Sequence, residues 1–175
     1  MATSDVTLDL VLDLPDHDSV DSVAAQARRA EERGFSLVTT GETTGWNVVP
    51  VLAVVADRTD SITVADDVLS PYSRAPTTVG QTALAMHDVA DGRFRLGLGT
   101  SSPALAERWH GQGFDRPLRR LRETIEVVRE VYDGGRVDYD GELFQVGGLQ
   151  YEREPPADPP AIDAAALGPK ATELA

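Results

Sequence analysis

Residues Gly92–Pro103 read GRFRLGLGTSSP, and this stretch decides the fold. Phe94, Leu96 and Leu98 alternate with Arg95 and Gly97, the period of a short strand with one face turned to a core. Gly97 and Gly99 carry no side chain, so another backbone or a ligand can approach the end of that strand closely. Trp109-His110-Gly111 and Phe114-Asp115-Arg116-Pro117-Leu118 follow, and Pro117 suits the first turn of a helix. A strand, a glycine-rich exit loop and a helix form the unit in which α/β proteins place small-molecule chemistry, at the carboxyl end of the strand.

The same unit recurs upstream. Val6–Leu12 alternates like a strand, and Asp18 or Ser19 caps a helix carrying Val20, Val23, Ala24, Ala27 and Ala30 on one face. Gly34 stops it. Leu37–Thr40 is a second strand, Pro50 lies in the first turn of the next helix, Ile62–Leu69 is a third strand, and Pro76 opens a helix that Gly92 closes. Strands therefore recur about every 30 residues with a helix between them, the βαβ rhythm of a parallel sheet. Pro117 opens a long helix with Leu118, Leu121, Ile125, Val128 and Tyr132 at helical spacing. There the rhythm breaks. Val137–Tyr139, Asp140-Gly141 and Leu143–Val146 read as a hairpin with a two-residue turn. Tyr151–Pro160 is a charged, proline-rich connection, Ala161–Ala165 a fifth strand, and Gly168–Ala175 the start of another helix. The expected fold is α/β, one domain of parallel (β/α) units over residues 1–175, with four to five strands and a hairpin insertion at 133–150.

Composition narrows the function. The formal net charge is −13 and Lys170 is the only lysine. That balance disfavours nucleic acid, which needs clustered cations, and suggests a halophilic, carboxylate-rich surface. Arg116, Arg119, Arg120 and Arg122 do cluster, but Glu123, Glu126 and Glu130 follow them, and the helix is expected to show a solvated charged face. There is no cysteine, hence no disulfide or thiolate chemistry. Neither a secretory signal nor an apolar run near the ~20 residues of a membrane span is visible, so a cytoplasmic location without membrane partners is expected.

Familiar motifs fail. Gly97-x-Gly99-x-x-Ser102 lacks the third glycine of a dinucleotide fingerprint and follows the fourth strand rather than the first. Pro103 stands where a nucleophile elbow needs glycine. His17, His87 and His110 are too scattered for a metal site, and none is expected. Asp66 and Asp67 point to opposite faces of a strand and make no dyad.

Arg33-Gly34-Phe35, Gly41-Glu42, Ser70–Pro76 (SPYSRAP), Asp91-Gly92-Arg93-Phe94, Leu96–Gly99, Trp109-His110-Gly111, Arg116-Pro117, Arg120, Arg122-Glu123, Tyr139–Glu142 and Ala165–Pro169 recur in order along the chain. In that order the chain resembles the luciferase-like flavin-dependent oxidoreductases, (β/α)8 or TIM barrels, and within them the branch using the deazaflavin coenzyme F-420. The resemblance implies hydride transfer between the coenzyme and a small organic substrate, with an FMN-dependent monooxygenase as the alternative. It places a ring system at the barrel mouth, against a bulge at the end of the third strand (Val68, Leu69, Ser70) and beside Gly99, Thr100 and Ser101. Glu42 stands where many F-420 enzymes have histidine. It could carry the proton that accompanies hydride transfer, if burial raised its pKa towards neutrality. His110 is a packed or capping histidine, or a substrate contact. Ser102 stands where the sugar-phosphate-oxidising branch has glutamate, which argues against that substrate.

A full barrel takes ~250 residues. The chain is therefore read as a partial barrel, with an open inner face and open edges. Two partners would cover them, a complementing C-terminal half or a second copy in a homo-oligomer. A non-catalytic relic or binding subunit is the further alternative.

Overall fold

Leu10, Val38, Val64 and Phe94 stand in one row across a parallel sheet, each on a different strand. The computed structural model describes residues 7–174. In chain order its elements are β1 (Asp9–Val11), α1 (Val20–Glu32), β2 (Leu37–Thr40), α2 (Val48–Asp57), β3 (Thr63–Asp66), α3 (Pro76–Val89), β4 (Phe94–Leu98), α4 (Pro117–Asp133), β5 (Arg136–Asp140), β6 (Gln145–Gln150), β7 (Ala161–Ala164) and α5 (Pro169–Leu174). The sheet order is β1-β2-β3-β4-β7, all parallel, and β5 and β6 form a separate antiparallel pair. Val6, expected in the first strand, and Ala175 lie outside the described residues.

Local chemistry explains the boundaries. Ser19 accepts the Ser22 N–H at 3.2 Å and starts α1, and Gly34 at φ +80° ends it. Asn47 accepts the Val49 N–H at 3.1 Å and starts α2. Pro76 and Pro117 open α3 and α4, where a missing N–H costs nothing.

The two faces of the sheet differ. Val38, Val64, Phe94, Leu96 and Leu98 point towards the helices and pack against Val23, Ala27, Val51, Leu52, Val55, Val79, Ala83, Leu121 and Val128. Each such side chain contributes about 1.5–3 kcal/mol through removal from water. The opposite face carries Val11, which is 64% exposed, and Arg95, which grips Asp163 through Nε at 2.7 Å. Gly80 brings α3 against α4; a Cβ there would lie 2.9 Å from that of Val131.

Three expectations need correction. The hairpin turn is not a two-residue Asp140-Gly141 turn; Gly141–Phe144 form a four-residue loop between β5 and β6. Glu123 is the reason. It is fully buried, not solvated, and its carboxylate accepts the N–H groups of Glu142 (3.1 Å), Leu143 (2.8 Å) and Phe144 (3.1 Å). A Cβ on Gly141 would lie 2.5 Å from that carboxylate, so the loop needs glycine there. Glu126 accepts from the Tyr139 hydroxyl and Glu130 from the Asp138 N–H. The acidic face of α4 therefore binds the hairpin. These carboxylates lie at spacings of three and four residues, which helical geometry stacks on one side.

The third strand is also shorter than expected. It ends at Asp66, the Asp67–Val68 peptide is cis, and the chain rejoins the sheet where Leu69 bridges Leu98. Two short turns complete the path: a 3-10 turn over Leu14–Asp16 and a wide π-type turn over Ala104–Trp109.

Candidate active site

The irregular end of β3 lies at the carboxyl end of the sheet, and its neighbours are shaped to it. A Cβ on Gly97 would lie 2.0 Å from the Asp66 carbonyl oxygen; one on Gly99 would lie 2.4 Å from a Val68 methyl. On the other side, a Cβ on Gly41 would lie 2.5 Å from the Asp67 carbonyl oxygen. All three positions must be glycine because the bulge occupies the space. Val68 is thereby held over β4.

Val68 forms part of the wall of a cavity of about 810 Å³, with Gly99, Thr100, Ser101, Phe114, Ala165 and the segment Leu167–Ala171. Of the residues expected at the cofactor, Val68, Gly99, Thr100 and Ser101 come together here. Leu69 and Ser70 are buried behind the wall, where the Ser70 hydroxyl accepts the Tyr72 N–H at 3.2 Å. The Gly99 N–H is spent on the Leu69 carbonyl at 3.3 Å. Among the described residues the Ser101 hydroxyl is buried without a partner, on a residue at φ +61°, so one donor and acceptor at the mouth is left for a ligand.

Glu42 and His110 line a second cavity of about 330 Å³, with Trp46, Asn47, Ser73, Arg74 and Trp109 among its walls. Glu42 is tightly held. It accepts from the Ser73 hydroxyl (2.8 Å) and from both Arg74 terminal nitrogens (2.8 and 2.7 Å). Arg74 also donates to Asn47 Oδ1 at 3.0 Å. Burial pushes the Glu42 carboxyl up, but the hydrogen bonds from Arg74 and Ser73 and the guanidinium charge outweigh it and hold the group below the ordinary glutamate value. The condition set for proton transfer, a carboxyl raised towards neutrality, is not met. Ser102 serves its own loop, accepting the Leu105 N–H at 3.3 Å.

Asp66 behaves oppositely. Burial pushes it up to about 7, although its oxygens accept the Leu69 N–H (2.9 Å) and the Gly97 N–H (3.3 Å). Its carboxyl ties both limbs of the bulge to β4. Beyond the bulge, Tyr72 stacks on Phe114 with ring centres 5.4 Å apart, and the Arg120 guanidinium lies 4.6 Å from the Tyr72 ring centre and 5.2 Å from that of Phe144. This stack joins the hairpin to the wall of the mouth cavity.

Sequence reasoning missed Asp66 and Arg74. Arg74 lay inside the quoted segment Ser70–Pro76 without a role, and nothing local marked it as the partner of Glu42, 32 residues away. Asp66 was weighed only as half of a dyad with Asp67; with the third strand expected to run on to Leu69, no local signal marked it as the carboxylate that ties the bulge to β4.

The model of the luciferase-like monooxygenase family matches residues 5–175. The chain is similar to a 5,10-methylenetetrahydromethanopterin reductase of Archaeoglobus fulgidus, 32% identical over 147 residues, which cover 83% of this chain and 43% of the relative. Its backbone is similar to that of an F-420-dependent secondary alcohol dehydrogenase solved with an F-420-acetone adduct (TM-score 0.87, 18% identity, 96% of this chain and 54% of that one). It is also similar to the oxygenating constituent of a 3,6-diketocamphane monooxygenase of Pseudomonas putida solved with FMN (TM-score 0.78, 16% identity, 91% and 51%). The chain thus spans less than half the length of the Archaeoglobus relative and about half that of each solved neighbour.

Proposed function

The chain belongs to the luciferase-like monooxygenase family, and from that premise we propose that it is the amino-terminal part of an oxidoreductase that uses coenzyme F-420. The observation that carries this reading is the bulge at Asp66–Leu69. It holds Val68 as an apolar support at the wall of a cavity large enough for a tricyclic ring, beside a hydroxyl with no partner of its own. These residues fit a flat, mostly apolar ring with a few polar edges. Val68, Gly99, Thr100 and Ser101 would hold it, with Phe114 closing one side. When bound, the deazaflavin supplies or accepts a hydride.

The second cavity would receive the substrate. Trp46 and Trp109 offer flat apolar surface there, and Arg74 is already neutralised by Glu42, which suits a small uncharged organic molecule. Glu42 acts through Arg74: it fixes the guanidinium and, through Asn47, the start of α2. His110, in the wall of the same cavity, would contact the substrate. The open face around Val11, Arg95 and Asp163 would be covered by a complementing carboxyl-terminal half or by a second copy.

An FMN-dependent monooxygenase is the second reading, favoured by the fold shared with the diketocamphane enzyme. One titration separates the two. The purified chain is titrated with F-420 and with FMN across a salt series, following cofactor fluorescence. Saturable micromolar binding of F-420 alone is expected. Binding of FMN alone transfers the reading to the monooxygenase branch, and binding of neither defeats both for this chain by itself.

A further inference from the structure

Arg116 and Arg119 both take the Glu142 carboxylate of the hairpin loop, at 3.1 and 2.8 Å. Arg120, beside them, takes none. Among the described residues it has no ion-pair partner, and its Nε is buried without an acceptor. Its guanidinium instead bridges two rings, 4.6 Å from the centre of Tyr72 and 5.2 Å from that of Phe144. A planar, weakly hydrated cation suits that place, because it is attracted to ring faces and packs flat against them. The two rings belong to distant parts of the fold. Phe144 lies in the hairpin loop, where buried Glu123 holds its N–H at 3.1 Å. Tyr72 follows the bulge. Its N–H donates to the Ser70 hydroxyl at 3.2 Å, its own hydroxyl donates to the Asp115 carbonyl at 3.4 Å, and its ring stacks on Phe114, which lines the mouth cavity.

We infer that Arg120 is a positioning residue for the mouth cavity, and that the β5–β6 hairpin acts through it as a buttress of the Phe114 wall. Arg120 is not itself in that wall and acts through Tyr72. The main-chain tie to Ser70 fixes the backbone of Tyr72 but not the angle of its ring. That angle depends on the groups against the ring, Arg120 and Phe114 among them. Glu123 anchors the loop, Phe144 backs the guanidinium, and the guanidinium sets the tilt of Tyr72 and of the ring stacked on it. The hairpin, which interrupts the βαβ rhythm, thereby reaches the mouth without touching a ligand. The effect on ligand affinity rests on the cofactor reading above; the effect on Phe114 does not.

Two measurements test this. The chain has four phenylalanines, so ring-labelled phenylalanine gives a simple NMR spectrum, in which the Phe114 signal is identified by its loss in Phe114→Leu. Arg120→Met removes the guanidinium and keeps an unbranched chain. Phe144→Leu removes the ring on the hairpin side and leaves Arg120 in place. Either substitution should move the Phe114 signal, and the two together should move it no further than Arg120→Met alone. The signal of Phe94, buried in the core on β4, should stay. The second measurement is a fluorescence titration with F-420. Affinity should fall about fivefold in either variant, the size of a cation–π contact. In the double variant it should again fall about fivefold, not about 25-fold, because both changes cut one chain of contacts. A Phe114 signal that neither variant moves overturns the inference. So does movement of Phe94 together with Phe114 in both variants, which would make Arg120 merely structural, or a fall in affinity that multiplies in the double variant. A Phe114 signal that moves as expected in a chain that binds no F-420 defeats the cofactor reading and leaves Arg120 as the residue that positions the Phe114 wall.

Discussion

The two ends of the sheet use the same residue types for different ends. At the amino ends of the strands, Arg93 donates to the carbonyls of Ile62 (2.7 Å), Thr59 (3.0 Å) and Ala56 (3.1 Å), leaving only its Nε without a partner. Glu31 accepts from the N–H groups of Asp60 (3.0 Å), Ser61 and Ile62 (2.8 Å). Both side chains spend themselves on the main chain of the link between α2 and β3. At the carboxyl ends, Glu42 and Arg74 spend themselves on each other and on side chains, in the wall of a cavity. Asp66 sits there with a raised pKa, and the Ser101 hydroxyl has no partner among the described residues. One end spends its charged groups on the main chain and serves stability. The other retains charge and polar capacity that a ligand can use, as expected for the carboxyl end of a parallel sheet.

The sharpest way to break this contrast is Gly97→Ala. The new methyl would overlap the Asp66 carbonyl, so the bulge must move. A loss of about 3 kcal/mol is expected, read by urea unfolding, together with loss of F-420 binding in the fraction still folded. An unchanged affinity would mean that the bulge does not shape the mouth. Arg93→Met is the counterpart at the other end. It leaves three carbonyls without their donor and should cost about 2 kcal/mol, while F-420 affinity per folded chain stays within twofold. A large fall in affinity would erase the division between the ends.

The pH dependence sharpens the comparison. Asp66 is raised from 3.8 to about 7, so the folded chain keeps a proton that the unfolded chain releases between those values. Its contribution favours the folded state most fully below about 4 and is lost as pH rises through about 7. Glu31 and Glu42 are held below 4.5, so they favour the folded state above 4.5 and lose that contribution as pH falls through their folded values. Between pH 7.5 and 5.5 the wild type should therefore gain about 2 kcal/mol over Asp66→Asn, measured as the difference between the two unfolding curves. A difference independent of pH would remove Asp66 as the titrating group. The smallest effect expected is that of Glu42→Gln, which keeps hydrogen-bonding atoms towards Ser73 and Arg74 but loses the charge. Stability should fall by about 1 kcal/mol with little change in F-420 affinity, whereas a small uncharged substrate should bind measurably more weakly as Arg74 is released into the second cavity.

Much of the fold was legible because its signals are local. Pro76 and Pro117 mark helix starts, Ser19 a cap and Gly34 a stop, and the alternation of Phe94, Leu96 and Leu98 marks the strand that β7 later joins. The site was legible only in outline. Val68, Gly99, Thr100 and Ser101 do converge, but the reason that Gly97 and Gly99 are glycine is the carbonyl of Asp66 and the side chain of Val68, on another strand. The acidic face of α4 looked solvated because helical spacing cannot tell water from a hairpin's N–H groups. Glu123 finds those groups in a loop 20 residues further on.

The amino-acid sequence by itself determined the order of strands and helices, the parallel rhythm and the break at the hairpin. Each of these depends on the period of apolar residues, on backbone restriction at proline and glycine, or on residue identity alone. Only the tertiary structure decided how the charged groups are used. Glu42 meets Arg74 across 32 residues and Arg95 meets Asp163 across 68. Whether a carboxylate ends as a proton carrier, a clamp or a counter-ion depends on which donors come within about 3 Å and how much water is excluded, and distant segments settle both.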